Sequence, residues 1–70
     1  MQLTRLDRAI ISVHEHVRPF YRARAVTTIL RQFGYTKEVP NVSPRIYYQG
    51  FRLSDYTTVT VYRDGAVVFN

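Results

Sequence analysis

The chain has 70 residues, no cysteine, and a formal net charge of +5 from ten basic and five acidic side chains. A chain this short buries only ~60% of the surface its unfolded form exposes, and without cysteine it has no disulfide or thiolate metal site to reinforce it. An apolar share of 46% argues against intrinsic disorder, so residues 1–70 read as one small domain.

No apolar run approaches the ~18 residues of a membrane span. The opening MQLTRLDRAI carries charges inside it and lacks a signal-peptide layout. A soluble, cytoplasmic protein is the expectation. Nine of the ten basic residues are arginine, with Lys37 the exception, and six tyrosines accompany them. Guanidinium suits planar, two-point contact with phosphate or carboxylate and stacks on rings, whereas lysine would serve solubility equally well. Arginine and tyrosine are also enriched at binding interfaces. The composition therefore describes a binder of something anionic, either nucleic acid or an acidic protein.

Thr4 to Val17 reads as a helix, because Leu3, Leu6, Ile10, Val13 and Val17 recur at helical spacing on one stripe. Thr4 followed by Asp7 matches a capping box in its Asp form. Arg5, Arg8, Ser12 and Glu15 fall opposite the stripe, and Ile11 lies beside that polar face, expected to pack against a loop or to stand free as an anchor. Pro19 opens a second helix running to Phe33, with Phe20, Ala23, Val26, Leu30 and Phe33 as its apolar stripe, widened by Ile29. Gly34 stops it.

Tyr35 to Pro44 is rich in turn formers and reads as a loop. Arg45–Leu53 reads as a strand with Gly50 as a bulge, Ser54–Tyr56 as a turn, and Thr57–Tyr62 as an alternating strand. Asp64-Gly65 marks a hairpin leading into Ala66–Asn70. A three-residue loop with Gly65 left-handed would pair Val61 with Val67 and Val59 with Phe69. That register gathers the large apolar groups on one face and leaves Thr58, Thr60 and Tyr62 outside. The predicted fold is α+β, two N-terminal helices packed on a small C-terminal three-stranded antiparallel sheet, ααβββ. A winged helix-turn-helix is the alternative, weakened because the prolines of YTKEVPNVSP leave no room for a third helix.

The second helix carries the main candidate surface. Tyr21, Arg24, Thr28 and Arg31 line up on the face opposite its core stripe, with Arg18 and Arg22 at its N-terminal end. Guanidiniums beside the free N–H groups of a first turn suit an anion; an ordinary solvated helix face is the competing reading. The open sheet face forms a second candidate, with Tyr62, Arg52 and either Tyr47 or Tyr48 able to stack unpaired bases. Cross-strand Thr–Tyr pairing that only stabilises the sheet is favoured there.

His14 and His16 stand two apart and so point away from each other on a helix, which gives no metal site. Ser12 and His16 stand four apart but have no third partner. Histidine, tyrosine and arginine could together cleave RNA without metal, yet no spacing assembles them. The expectation is a non-enzymatic module without cofactor or metal, binding nucleic acid through the second-helix face. The alternative is a small virus- or plasmid-encoded effector or inhibitor that docks the same surface on an acidic protein patch. No membrane partner is expected, while the edge of the final strand could pair with a second copy.

Overall fold

A computed structural model describes residues 2–70. Helix α1 spans Arg5–His16 and helix α2 spans Pro19–Gln32. Four strands follow: β1 Lys37–Glu38, β2 Ile46–Arg52, β3 Thr57–Tyr62 and β4 Val67–Phe69. They form one antiparallel sheet in the order β1-β2-β3-β4. The α+β class is as expected, with a short additional strand inside the segment read as a loop. Among the described residues no third helix follows α2, so the winged alternative is not the fold.

Local chemistry sets the helix ends. Thr4 accepts from the Asp7 amide at 3.0 Å while the Asp7 carboxylate accepts from the Thr4 amide at 3.0 Å, a complete capping box. Pro19 occupies the first turn of α2, where a missing N–H costs nothing. Gly34 takes a left-handed φ of 103° just past its end.

The β3–β4 register pairs Val61 with Val67 and Val59 with Phe69. Gly65 has a φ of 95°, as the three-residue hairpin requires. The hairpin tip docks on the helices, because His14 Nε2 donates to the Gly65 carbonyl at 2.8 Å. One core joins the layers: Val13 of α1, Ala23, Val26 and Leu30 of α2, Tyr35, and Tyr48, Val59 and Val61 of the sheet. The opposite sheet face carries Gln49, Thr58, Thr60, Tyr62 and Val68, as the register dictates. Strand β4 ends the sheet and leaves its outer side unpaired among the described residues.

Several readings need correction. The bulge falls at Tyr47, where pairing jumps from Ile46↔Tyr62 to Tyr48↔Val61; Gly50 pairs regularly with Val59. Tyr48 consequently lies in the core and not on the open face. Phe20 is 88% exposed, because a groove and not the sheet lies beside the first turn of α2; burial starts at Ala23. Leu3, ahead of α1, is also exposed, and so is Ile11. Tyr35 is a core residue at 2% exposure.

The β2–β3 turn is held by a polar network. Arg52 donates to Asp55 through Nε at 3.0 Å and Nη2 at 2.6 Å, and through Nη1 to the Phe33 carbonyl at 3.1 Å. Asp55 also accepts from the Thr57 hydroxyl at 2.7 Å, so the Tyr35 hydroxyl must donate to Thr57 Oγ1, 3.0 Å away. Tyr56 within this turn has a φ of 57°, rare for a residue with a Cβ. The Arg52 guanidinium, then the Thr57 hydroxyl, hold the Asp55 carboxyl well below its ordinary range. A group depressed on folding stabilises the native state above its unfolded pKa and loses that contribution as pH falls. Asp55→Asn should therefore lower Tm at neutral pH, with the gap to wild type closing towards about pH 2. Thermal melts across that range check this; a gap independent of pH would refute it.

Candidate nucleic-acid interface

Helix α2 turns three kinds of residue outward. Ala23, Val26, Thr27 and Leu30 are buried beneath it, so Tyr21, Arg24, Thr28 and Arg31 fall on the exposed side, as predicted from spacing. They do not stand on an isolated helix. A groove runs between α2 and β2, first lined by Phe20, Tyr21, Ala23, Arg24, Tyr47 and Arg63. It continues past Thr27, Thr28 and Arg31, with Tyr48 and Glu38 across from them. The bulge at Tyr47 builds this groove: the extra residue sends two successive tyrosines to the helix side, one into the core and one to the rim.

The predicted residues differ in availability. Arg24 is exposed and has no carboxylate within 4.0 Å among the described residues. Arg18 is exposed at the N-cap of α2, and its side chain makes no cap hydrogen bond. Arg31 lies over the Tyr48 ring at 5.0 Å and pairs with Glu38 at 4.0 Å, so it is folded back onto the sheet. Thr28 returns its hydroxyl to the Arg24 carbonyl at 3.1 Å. Arg22 is half-buried and donates from Nε to the Val17 carbonyl at 3.0 Å, closing the end of α1.

Arg52 departs furthest from expectation. It lies on the helix side of the sheet, over the Tyr35 ring at 4.6 Å, and binds Asp55 and Phe33. It is a latch for the turn, and its raised pKa follows first from the Asp55 hydrogen bond. Tyr62 does reach the outer face, but at the opposite end of β3 from Thr57, the partner of Arg52. The open-face platform of Tyr62 with Arg52 is therefore not assembled.

Sequence reasoning missed Phe20, Tyr47 and Arg63 as groove residues. Helical spacing assigns Phe20 to the apolar stripe, and Arg63 opens the β3–β4 turn, where a basic residue carries no signal of its own. Charge was the one signal that pointed towards Arg63: Arg45 and Arg63 flank the turns at the same sheet end, and the Arg63 amide donates to the Arg45 carbonyl at 3.0 Å.

His14 reaches across to the Gly65 carbonyl, and His16 folds back onto its own helix. His16 Nδ1 lies 3.1 Å from the Ser12 carbonyl and 3.5 Å from the Ser12 hydroxyl. No cluster of three or more metal-ligating residues occurs among the described residues, and no helix there is long and apolar enough to cross a membrane. Neither a family model, nor a curated protein, nor a solved structure matches the chain.

Proposed function

We propose that the chain is a non-enzymatic nucleic-acid-binding module that uses the groove between α2 and β2. The observation that carries this reading is Arg24: an uncompensated guanidinium on an exposed helix face, in one groove with Phe20, Tyr21 and Tyr47. Arg18 adds a second exposed cation at the same end of α2. The net charge of +5 supplies long-range attraction for a polyanion. Action in the cytoplasm belongs to the same proposal.

The test is fluorescence anisotropy with labelled single-stranded and duplex oligonucleotides across a salt series. Arg18/Arg24→Ala should weaken binding and flatten the salt slope by ~1.4 to 1.8, since each phosphate contact contributes ~0.7 to 0.9. Arg22 is unsuited to this test because it closes α1. Absence of binding at low salt would end the reading.

A second reading rests on Phe20, an 88% exposed ring stacked edge-on against Tyr21 at 5.3 Å. Such a pair suits an anchor in the pocket of an acidic protein, as an effector or inhibitor would use. Excess unlabelled DNA separates the two: it displaces a nucleic-acid ligand and leaves a specific protein complex intact.

A further inference from the structure

Two slots meet at Arg63. One is lined by Phe20, Tyr21, Ala23, Arg24, Tyr47 and Arg63. The other is lined by Pro44, Arg45, Tyr62, Arg63, Asp64 and Ala66. Each holds at least one aromatic ring and one arginine of its own, and Arg63 belongs to both. Arg24, Arg45 and Arg63 have no carboxylate within 4.0 Å among the described residues.

We infer that these slots form a two-nucleotide site for single-stranded nucleic acid, with one base in each slot and the phosphate between them on Arg63. The inference rests on the nucleic-acid reading above and specifies its strandedness. Three observations carry it. First, Arg63 is pre-positioned: its Nε donates to the Pro44 carbonyl, which fixes the arm and leaves both terminal nitrogens for a phosphate. Second, the rings on either side are of the kind that stack on bases, and stacking needs bases freed from a duplex. Third, α2 is poorly placed to enter a major groove. Its Arg31 is tied to Glu38 and Tyr48, and the Glu38 carboxylate faces any phosphate arriving at that end. In the second slot, Asp64 accepts from the Ala66 amide at 3.0 Å. Its charge disfavours a phosphate deeper in that slot.

The site would guide a strand around the end of the sheet. Tyr47 stands on the helix side and Tyr62 on the outer face, with Arg63 at the turn between them. Modest sequence selectivity follows, because every base offers a π-face.

The experiment compares a labelled oligothymidylate, a duplex of equal length, and an abasic sugar–phosphate strand of equal length, all at low salt. The oligothymidylate should bind at least about ten-fold more tightly than the abasic strand, and more tightly than the duplex. Phe20→Ala, Tyr47→Ala and Arg63→Ala should each cost about ten-fold on the oligothymidylate. Arg8→Ala on α1, charge-matched to Arg63→Ala, should cost only what its lost charge explains in the salt series. Circular dichroism checks folding; if Arg63→Ala does not fold, the exposed Phe20 and Tyr47 variants decide the question. Duplex binding as tight as single-strand binding, or abasic binding as tight as oligothymidylate, overturns the single-strand site and leaves nucleic-acid binding standing. No binding to any of the three overturns both.

Discussion

Replacing Tyr35 by alanine should lower the stability of the chain by about 3–5 kcal/mol. Tyr35 follows α2 directly and is the largest fully buried side chain, with its ring 6.2 Å from that of Phe69. Arg52 lies on it, and its hydroxyl donates into the Thr57–Asp55 network. Truncation would leave a cavity, an uncovered guanidinium and an unmatched Thr57. Small domains hold roughly 0.05–0.15 kcal/mol per residue, which is about 4–10 kcal/mol here. The variant would thus lose about a third or more of the total, which should appear as a large drop in its denaturation midpoint. Urea denaturation of wild type, Tyr35→Ala and Tyr35→Phe measures this. The phenylalanine variant keeps the packing and should lose only about 1 kcal/mol for the hydrogen bond. An alanine variant within about 1 kcal/mol of wild type would show that the ring is not the keystone described.

Gly50→Ala should cost about 1–3 kcal/mol, although alanine is normally no worse than glycine in a strand. Gly50 and Tyr48 share the core face of β2, and the Tyr48 ring lies along the strand over Gly50. A Cβ there would stand 2.5 Å from Tyr48 Cε2 and 2.8 Å from its hydroxyl. The ring cannot simply swing away, because it is 3% exposed and its hydroxyl donates to the Tyr35 carbonyl at 2.6 Å. A double-mutant cycle isolates the effect: Gly50→Ala should be nearly free once Tyr48 is alanine. Full additivity of the two losses would contradict the packing. The variant would also displace Tyr48 beneath Arg31, so it is unsuited to tests of the groove.

The two residues behind these predictions mark where sequence and structure part. Tyr35 lies in a stretch of turn formers, and local composition offers no sign of burial. It is buried because the exit from α2 sets it between the sheet and Arg52, a contact between residues far apart in sequence. Gly50 is special, as its place in a strand suggests, but not as a bulge. A strand glycine signals either a bulge or a close approach, and only the position of the Tyr48 ring distinguishes them.

The candidate site divides in the same way. Spacing places Tyr21, Arg24, Thr28 and Arg31 on one exposed helix face, because a 3.6-residue period needs no tertiary information. It cannot tell which guanidiniums remain free to bind. Arg31, Arg22 and Arg52 are engaged by Glu38, the Val17 carbonyl and Asp55, while Arg24 stays free of any carboxylate among the described residues. Nor can it place Tyr47, since one extra residue in a strand flips every later side chain to the other face.

The sequence by itself determined what depends on near neighbours. It set the Thr4 capping box, the start of α2 at Pro19, the left-handed Gly65 and the β3–β4 register, which gathers Val59, Val61, Val67 and Phe69 on one face. Its charge of +5 and its arginine bias were equally plain. The tertiary structure alone decided the short strand β1, the bulge at Tyr47, the burial of Tyr35 and the meeting of two slots at Arg63. Each of these is a contact between segments whose separation in the chain carries no periodic signal, so packing and long-range hydrogen bonding had to select it.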